Sequence, residues 1–484
     1  MPTAARRTFN RTKLVATIGP ATEQPESIAA LLDTGVDVCR LNFSHGELER
    51  HRAVFNVIRA WEREHGRPVA VLGDLCGPKI RLTAVAGGSF ELRPGDTIRL
   101  AAGEGDCDRQ RLCTNYPGLL DELRVGQRVY IDDGAVRLLA VDREPREIVC
   151  TCTTGGVVSS RKGVNLPDTA LSTPALTEKD RRDLRWAVET GLDYVALSFV
   201  RTPSDLRELR GLLREQGSDL HVVVKIEKSQ ALEHLDELIG EADAAMVARG
   251  DLGVEMDPWQ VPLVQKSLIA RCREAGKPVI VATQMLQSMV AHPVPTRAEV
   301  SDVANAIFEG ADAVMLSAET AAGQFPLAAV EVMARVAEVT EAYQATQPLV
   351  PPASMLSGNR RTSAIAQAAV QAAAQLHARL VAVWTASGET ARQVARHRLP
   401  IPVVGLTFDE RVYRRLALLY GVYPMRIEAL DSPRAMAERL DACLLESGLS
   451  RRGDFVIVVT STTPNTPGAT DMVVARRVGE AGAT

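Results

Sequence analysis

The 484-residue sequence predicts an α/β protein: a (β/α)8 TIM barrel with an inserted small β-barrel domain and a C-terminal doubly wound α/β domain. Three observations support this fold class. Apolar runs alternate with helical patterns eight times, the alternation breaks between residues 80 and 172, and a separate α/β region follows a Pro-rich stretch at residues 347–352. An alternation of this count closes most economically into a barrel, although an open doubly wound sheet is the structural alternative.

The first part of the barrel occupies residues 1–79. We expect strands at residues 13–20, 37–41 and 68–72 and helices at residues 25–34 and 48–65. Residues 80–172 are rich in Val, Thr and Arg, lack helical periodicity and carry a turn signal at residues 132–134. This pattern predicts that a small β-domain is inserted after the third barrel strand.

The barrel pattern resumes over residues 173–345. The remaining strands are predicted at residues 194–199, 221–226, 244–248, 278–283 and 313–316. The helices are predicted at residues 178–190, 203–216, 230–240, 260–275, 297–309 and 326–343. In residues 346–484, strands at 380–384, 401–406 and 455–460 alternate with helices, which favours a separate doubly wound domain.

Composition excludes several classes of function. The content of 46% hydrophobic and 24% charged residues is ordinary for a globular protein, and the net charge of -4 gives no argument for a nucleic-acid or membrane partner. No apolar run has the length of a bilayer span, and the N-terminus lacks a signal-peptide core. The eight cysteines are scattered without a Cys-x-x-Cys pair, so we expect a reducing cytoplasm and neither a disulfide framework nor a zinc site.

Arginine is the default cation of this chain, since only 8 of its 56 basic residues are lysines. Lys79, Lys162 and Lys225 lie in motif-like contexts, where the bias indicates a need for a compact ammonium rather than a planar guanidinium. We expect the others to be ordinary solvated positions: Lys13, Lys179, Lys228, Lys266 and Lys277.

Barrel strands deliver chemistry from their C-terminal ends, and polar side chains recur there. In strand order these residues are Arg40, Asn42, Ser44 and His45; Asp74; Ser198 and Arg201; Lys225 and Glu227; Arg249 and Asp251; Thr283 and Gln284; and Ser317 and Glu319. Without a Cys–His or Ser–His–Asp set, the rim argues against acyl transfer and fits phosphoryl transfer, in which positioning and charge neutralisation do most of the catalysis.

Two neighbouring strand ends carry the strongest signal. Glu227 and Asp251 offer hard oxygen ligands that suit Mg²⁺, while Lys225 and Arg249 suit a phosphoryl group. The alternative is a rim of ordinary surface ion pairs. Taken singly, His45 is as consistent with a structural role as with a ligand contact.

Six motifs resemble the pyruvate kinase family over nearly the whole chain. They are Arg-Leu-Asn-Phe-Ser-His-Gly at residues 40–46, Lys-Gly-Val-Asn-Leu-Pro at 162–167, Lys-Ile-Glu at 225–227, Arg-Gly-Asp-Leu-Gly-Val-Glu at 249–255, Ala-Thr-Gln-Met-Leu at 282–286 and Pro-Thr-Arg-Ala-Glu-Val-Ser-Asp at 295–302. The resemblance implies a cytoplasmic glycolytic enzyme that uses Mg²⁺, with Mn²⁺ able to substitute, to transfer phosphate from phosphoenolpyruvate to ADP, giving pyruvate and ATP. It also implies a homotetramer, and a lid role for the inserted domain, which closes over the barrel mouth and excludes water.

The resemblance further implies a role for each site residue. Glu227 and Asp251 hold Mg²⁺, and Lys225 neutralises charge on the phosphoryl group in transfer. The amides of Gly250 and Asp251 bind the substrate carboxylate. Thr283 lies at the enolate face, within the relay that protonates C3, and the group that gives this proton stays open. Arg40 and Arg81 reach phosphate, and the other nucleotide contacts are Asn42, His45 and Lys162.

Two further hypotheses use the same fold. The chain could be a catalytically inactive regulatory or binding protein, but such proteins usually lose a metal ligand, whereas Lys225, Glu227, Asp251 and Thr283 are all present. Another phosphoenolpyruvate-using barrel, such as a dikinase-type phosphotransferase, lacks support because no phosphohistidine domain is evident.

The turn after the third strand departs from the family pattern. Members that require K⁺ typically carry Asp-Thr-Lys-Gly-Pro-Glu-Ile-Arg-Thr, whereas residues 74–82 are Asp-Leu-Cys-Gly-Pro-Lys-Ile-Arg-Leu. The Lys79 ammonium can supply the charge that a monovalent cation would bring, so we predict that K⁺ is not required. If Lys79 points to solvent, the alternative is a surface lysine on a hinge. Vestigial cation ligands remain at Asn42, Ser44, Asp74 and Leu75.

In the C-terminal domain, a polar turn joins the strand at residues 380–384 to a helix that contains Arg392 and Arg396. Its candidate effector residues are Thr385, Ser387, Gly388 and Thr390. Hydroxyls and free amides at a helix N-terminus bind phosphate, although Ser387 or Thr390 could simply cap the helix. The resemblance favours an allosteric site for a phosphorylated metabolite, either a sugar phosphate or AMP, with the loop at residues 463–468 beside it.

Overall fold

The computed structural model describes residues 10–347, 359–430, 432–463 and 465–480. The first part of the barrel consists of β1 (Lys13–Ile18), α1 (Pro25–Thr34), β2 (Val38–Asn42), α2 (Leu48–His65) and β3 (Ala70–Asp74). Pro25 starts α1 because its fixed φ is already helical, and Gly66 ends α2 in the left-handed region at φ 59°. Local signals of this kind explain why both helices have the predicted bounds.

The inserted domain is almost entirely β-structure. Its elements are β4 (Ser89–Leu92), β5 (Thr97–Ala102), β6 (Arg111–Thr114), α3 (Leu119–Glu122), β7 (Arg128–Ile131), β8 (Val136–Glu144), β9 (Glu147–Thr154), β10 (Gly156–Ser159) and β11 (Val164–Asn165). A six-stranded sheet in the order β11-β7-β8-β9-β5-β6 and a two-stranded sheet of β4 and β10 enclose one apolar core. The helix α3 was not expected, since four residues are too few to give a periodic signal.

The barrel closes with its second part. The elements are α4 (Glu178–Thr190), β12 (Tyr194–Leu197), α5 (Pro203–Glu215), β13 (His221–Ile226), α6 (Ser229–Glu233), α7 (Leu235–Glu241), β14 (Ala244–Ala248), α8 (Arg249–Glu255), α9 (Val261–Ala275), β15 (Val279–Ala282), α10 (Arg297–Glu309), β16 (Ala313–Leu316), α11 (Ala318–Ala321) and α12 (Pro326–Gln344). The strands are parallel and form a closed barrel in the order β1-β16-β15-β14-β13-β12-β3-β2. The predicted barrel is confirmed, and the open sheet is excluded.

One predicted barrel helix is divided in two. The pattern over residues 230–240 forms α6 and α7, which meet at His234 with φ −114° and ψ 19°. Leu235 and Leu238 are buried on α7 and Ala231 on α6, so both short helices still cover the barrel. The apolar spacing survives the break, and for this reason the sequence predicts a single helix.

The C-terminal domain is doubly wound, as predicted. It contains α13 (Arg360–Gln375), β17 (Leu380–Trp384), α14 (Glu389–Ala395), β18 (Val403–Thr407), α15 (Glu410–Arg415), β19 (Val422–Arg426), α16 (Pro433–Glu446), β20 (Phe455–Thr460) and β21 (Met472–Arg477). The sheet order is β19-β18-β17-β20-β21, with β21 antiparallel, and an apolar cluster covers each face. Strands β19 and β21 are additional to those predicted, and most of the Pro-rich stretch lies outside the described residues.

The C-terminal domain packs against the floor of the barrel, which is the end at which the barrel strands begin. Ala417 and Leu418, in a short 3-10 turn after α15, belong to the apolar cluster that fills the barrel interior. The Tyr194 hydroxyl donates to the Arg415 carbonyl at 2.8 Å, and the Lys13 ammonium donates to the Val422 carbonyl at 2.8 Å. Lys13 is therefore buried in this joint, and the prediction of a solvated lysine was wrong there because its partner lies 409 residues away.

No helix in the described ranges is long and apolar enough to cross a membrane.

Candidate active site

Lys225 is the buried cation at the centre of the barrel mouth. It is the penultimate residue of β13, and its ammonium lies 2.6 Å from the Glu227 carboxylate, 3.3 Å from the Asp74 carboxylate and 2.7 Å from the Ser198 hydroxyl. Burial alone would lower the pKa of Lys225, but the carboxylates of Asp74, Glu227 and Asp251 together outweigh it and raise that pKa. Lys225 therefore keeps its charge in a desolvated cleft, where a charge acts strongly on a bound anion.

The Asp74 carboxylate forms ion pairs with two cations of the site, Lys225 and Arg40. Its second carboxylate oxygen accepts from the Arg40 guanidinium at 2.7 and 2.8 Å, and Arg40 also donates to the Thr17 hydroxyl at 3.0 Å. Burial opposes ionisation of Asp74, but Lys225 and Arg40 lower its pKa, so it stays a carboxylate. β2 and β3 pair Asn42 with Asp74, which brings the two strand ends to one level.

Glu227 and Asp251 bring two carboxylates to neighbouring strand ends. Burial, followed by repulsion from Glu227, raises the pKa of Asp251 to about 7, and Lys225 and Lys79 only partly offset this. A divalent cation between the carboxylates would remove their repulsion. The donor set fits Mg²⁺, which proteins commonly bind through one or two carboxylates together with water and substrate oxygens.

A complete protein cage for a metal does not exist in the described part of the chain. Within it, no three His, Cys, Asp or Glu side chains converge to hold an ion. The two carboxylates leave most of the coordination sphere for other oxygens. This is the arrangement expected where a substrate supplies part of the sphere, and it differs from a structural metal site.

The start of α8 meets the end of β15. The Gly250 amide donates to the Thr283 hydroxyl at 2.7 Å, and a Cβ on Gly250 would lie 3.4 Å from that oxygen. Thr283 and Gln284 both have positive φ, at 67° and 54°, a rare conformation that tends to persist at functional sites. The hydrogen bond between the Gly250 amide and the Thr283 hydroxyl thus joins α8 to the end of β15 at the barrel mouth.

Arg249, which the sequence suggested for a phosphoryl contact, makes its hydrogen bonds within the protein. Its guanidinium donates to the Thr283 carbonyl at 2.7 Å and to Asp302 at 2.6 Å. It therefore holds the strained Thr283 backbone in place. Glu319 has a similar supporting role, since its carboxylate accepts from the amides of Leu286 and Ser317.

A cleft of about 320 Å³ separates the inserted domain from the barrel mouth. Cations line both sides, with Lys79, Arg81 and Lys162 toward the inserted domain and Arg201 on the barrel, and Asp251 lies at the barrel wall. Lys162 forms an ion pair with Asp132 at 2.8 Å. The distribution of charge suits a polyanionic ligand between the two domains.

A second cavity of about 430 Å³ opens beside β1, β2 and β16. Arg40, Asn42 and His45 line it together with apolar side chains, so three of the predicted ligand contacts share one wall. Burial, then the nearby charges of Lys79, Arg81 and Arg40, lowers the pKa of His45. A neutral imidazole at this wall can stack or accept a hydrogen bond without repelling the neighbouring cations.

The candidate monovalent-cation ligands are mostly engaged within the protein. The Asn42 side-chain oxygen accepts from the Ser44 amide at 3.1 Å, Asp74 is paired with Arg40 and Lys225, and the Leu75 carbonyl accepts from Ser198 at 2.7 Å. Lys79 is exposed, but it faces the cleft that it lines. Its charge influences the pKa values of both His45 and Asp251, so its ammonium lies within electrostatic range of the site.

Sequence reasoning missed Lys228, which was expected to be solvated. Its ammonium is buried against the Glu255 carboxylate at 2.6 Å and lies 5.7 Å from the centre of the Phe199 ring. Its position one residue after Glu227 is a signal that could have identified it. The partner, 27 residues further along the chain, is visible only in three dimensions.

The C-terminal domain has a polar cavity of about 40 Å³ at the strand ends. Thr385, Ser387 and Thr390 line it, and residues 465–468 of the predicted neighbouring loop line it as well. The Thr385 hydroxyl accepts from the Gly388 amide at 2.9 Å, and the Thr390 hydroxyl lies 2.7 Å from that of Thr470. The cavity lies where the strand order reverses between β17 and β20, the usual ligand position in such sheets.

Arg392 of α14 and Arg396, which follows the last residue of that helix, do not line this cavity. They lie with Gly276 and Lys277 around a small gap at the barrel floor, and Arg392 forms an ion pair with Glu389. A phosphate in the effector cavity would therefore be bound by hydroxyls and amides.

A closed barrel with a charged mouth, a β-domain across that mouth and a doubly wound third domain defines a class of multidomain barrel enzymes. Family models describe the same two parts: "Pyruvate kinase, barrel domain" matches residues 9–330, and "Pyruvate kinase, alpha/beta domain" matches residues 363–475. The chain belongs to the pyruvate kinase family of enzymes, which confirms the resemblance of its motifs.

Curated relatives span nearly the whole chain. A pyruvate kinase from Mycobacterium intracellulare is 42% identical over 470 residues, which is 97% of this chain and 99% of the relative. The pyruvate kinase of Mycobacterium tuberculosis strain H37Rv is 41% identical over 470 residues, with the same coverage. That of Geobacillus stearothermophilus is 41% identical over 467 residues, which is 96% of this chain and 79% of the relative.

Proposed function

We propose that this enzyme transfers the phosphoryl group of phosphoenolpyruvate to ADP, giving pyruvate and ATP in glycolysis, and that it requires Mg²⁺. The observation that carries the proposal is the buried, charged Lys225 between Asp74 and Glu227, with Asp251 at the neighbouring strand end. A fixed cation beside two metal-binding carboxylates suits a transition state that spreads negative charge over the phosphoryl oxygens.

In this mechanism the chain positions the reactants and neutralises charge. Glu227 and Asp251 would hold Mg²⁺, which supplies electrostatic stabilisation to the phosphoryl oxygens when bound. The amides of Gly250 and Asp251 orient the substrate carboxylate, and Lys225 stabilises the phosphoryl group as its bond to the enol oxygen breaks and a bond to the ADP oxygen forms. The enolate that is left takes a proton at C3 on the face beside Thr283.

The nucleotide is proposed to lie in the cleft between the barrel and the inserted domain and in the cavity beside β1, β2 and β16. Arg40 and Arg81 approach its phosphates, Asn42 and His45 line the mainly apolar cavity, and Lys162 approaches from the inserted domain. When this lid closes, water is excluded and the phosphoryl group passes to ADP rather than to water. The cations on both sides of the cleft support this arrangement.

We also infer that turnover does not depend on K⁺. Lys79 lines the cleft within electrostatic range of Asp251, while the Asn42 oxygen and the Leu75 carbonyl already accept hydrogen bonds within the protein. A second monovalent charge would meet repulsion there, about 1 kcal/mol or more in a partly desolvated cleft. Because Lys79 is exposed, its substitution is needed to test the alternative that it is a surface lysine on a hinge.

Regulation and assembly complete the proposal. The cavity lined by Thr385, Ser387 and Thr390 would bind the phosphate group of a phosphorylated metabolite, either a sugar phosphate or AMP. The enzyme is proposed to be a cytoplasmic homotetramer, in keeping with its family and with its eight unpaired cysteines.

The experiment is a coupled assay of pyruvate formation with purified protein, phosphoenolpyruvate, ADP and Mg²⁺, with and without candidate effectors. Turnover that disappears when Mg²⁺ is chelated and returns with Mn²⁺ supports the proposal. Binding of the substrates without turnover at saturation would favour the alternative of an inactive regulatory protein on the same fold.

A further inference from the structure

The loop at residues 198–202, between β12 and α5, contacts both the reacting site and the lid connections. At the site, the Ser198 hydroxyl accepts from Lys225 at 2.7 Å, and the Phe199 amide donates to the Glu227 carboxylate at 2.8 Å. A single short loop therefore contacts both the central cation and a predicted metal ligand.

The same loop contacts the outgoing connection (residues 75–79), through which the chain leaves the barrel for the lid. The Ser198 hydroxyl donates to the Leu75 carbonyl at 2.7 Å. The Phe199 ring packs on Gly77 so closely that a Cβ there would lie 2.6 Å from the ring. Gly77 has φ 66°, so both sterics and backbone conformation favour glycine at this contact.

The loop also holds the return connection (residues 166–177), through which the chain re-enters the barrel. The Arg201 guanidinium donates to the Thr173 carbonyl at 2.6 Å and to the Leu171 carbonyl. Between them, Ser172 is held from the lid, because the Glu122 carboxylate of α3 accepts from its hydroxyl at 2.5 Å and from its amide at 3.3 Å. In the segment of residues 171–173, the barrel thus binds Leu171 and Thr173, and the lid binds Ser172 between them.

The loop itself is strained. Phe199 has φ 56°, in the left-handed region that bulky side chains rarely adopt. Such a conformation persists only where the surroundings fix it, and the fixing contacts here are those to Glu227 and Gly77. A shift of the Glu227 carboxylate would therefore change one of the contacts that keep Phe199 in this unfavourable backbone conformation.

We propose that Arg201 is a positioning residue that couples occupancy of the Lys225–Glu227 site to the angle of the lid. A shift of Glu227 when cation and substrate bind displaces the Phe199 amide, and Arg201 carries this displacement to the return connection. The inference rests on the proposed function for the identity of the ligands, and it gives a specific role to Arg201, which so far is only one of the cations that line the cleft.

The experiment measures hydrogen–deuterium exchange in residues 166–177 of the full chain, with and without Mg²⁺ and phosphoenolpyruvate. In the wild type the ligands should slow exchange about tenfold, because the connection is ordered when the lid closes. Arg201→Ala should lose most of this response, and Arg201→Lys, which can still donate to one carbonyl, should recover part of it. Arg207→Ala, which removes the ion pair between Arg207 on α5 and Glu241 at the end of α7, is the matched control and should respond as the wild type does.

Kinetics supply a second readout. Arg201→Ala should lower kcat about tenfold or more while the KM for phosphoenolpyruvate changes about threefold or less, because the Lys225 site itself is intact. Glu122→Gln weakens the same segment from the lid side and should shift kcat in the same direction. A wild-type exchange response and a kcat within about twofold for Arg201→Ala would overturn the coupling. Absence of turnover in the wild type would instead contradict the proposed function. The hydrogen–deuterium exchange response would still test whether Arg201 couples the site to the lid.

Discussion

Lys225 and Glu227, two residues apart at the end of one barrel strand, form a 2.6 Å ion pair at the mouth of the barrel. Glu227 also accepts from the Phe199 amide, and Lys225 also lies near Asp74. Each charge is therefore fixed before any ligand binds. Preorganised charge needs no rearrangement at the moment of reaction, which is the basis of electrostatic catalysis in a desolvated site.

The first prediction concerns Lys225. Lys225→Met should lower kcat by several powers of ten because it removes a charge that acts mainly in the transition state. Binding of Mg²⁺ and phosphoenolpyruvate, measured by calorimetry, should weaken much less. A variant that keeps more than about a tenth of wild-type turnover would show that the role is wrongly assigned. Glu227→Gln is the contrasting variant and should instead raise the Mg²⁺ concentration needed for half-maximal activity.

The second prediction concerns pH and the metal-free protein. Folding raises the pKa of the Asp251 carboxyl from an ordinary value of 3.8 to about 7, so the folded state favours its protonated form. This costs no stability below the ordinary value, and the cost grows as the pH rises toward about 7. Without Mg²⁺, Asp251→Asn should therefore raise the free energy of unfolding at pH 8, by about 1 kcal/mol or more.

Thermal unfolding in a chelating buffer at several pH values checks this. The stabilisation by Asp251→Asn should vanish near pH 4 and should be reversed by Mg²⁺ at pH 8, since only the wild type binds the cation well. Equal stability of the two proteins at pH 8 without metal would show that burial and the neighbouring Glu227 do not disfavour the ionised Asp251 carboxylate.

Most of the fold was predictable because its signals are local. The helix α4 has the predicted bounds since Thr177 and Asp180 form a capping box and Gly191 ends it at φ 78°. Strand β19 was missed because it contains Pro424, which is tolerated at the edge of a sheet but reads as a strand breaker. Strand β21 is a half-exposed edge strand near the end of the chain, with no continuous apolar run.

The site was predictable as a set of residues but not as a network. The barrel fold alone brings Asp74, Lys225 and Asp251 to one rim. The contacts of Arg201 and Lys228 depend on partners about 30 residues away, and no local sequence pattern predicts these contacts. For the same reason, Arg249 suggested a phosphoryl contact, whereas its nearest partners are the Thr283 carbonyl and Asp302.

The third prediction concerns monovalent cations. Wild-type turnover in K⁺-free buffer, with tetramethylammonium holding the ionic strength constant, should equal that with K⁺. Lys79→Glu should lower activity and create a partial K⁺ dependence, which stays incomplete because Leu75, Cys76 and Leu82 remain. A loss of about tenfold or more when K⁺ is omitted from the wild type would contradict the electrostatic argument.

The fourth prediction concerns the C-terminal cavity. A panel of sugar phosphates and AMP, titrated at sub-saturating phosphoenolpyruvate, should contain at least one compound that changes the apparent affinity for this substrate, by about 5-fold or more. Ser387→Ala combined with Thr390→Ala should abolish that response while leaving turnover without effector unchanged. Activation that survives both substitutions would mean that these residues only support the start of α14.

The central claim is the transfer itself, and phosphorus NMR of a single sample tests it most directly. With the purified chain, phosphoenolpyruvate, ADP and Mg²⁺, the phosphoenolpyruvate resonance should decline as the γ-phosphate resonance of ATP grows by the same amount, with little inorganic phosphate. The same sample with Lys225→Met, or with Mg²⁺ chelated, should remain unchanged. A phosphoenolpyruvate resonance that persists with the wild type at saturating ADP and Mg²⁺, with or without effectors, would contradict the account.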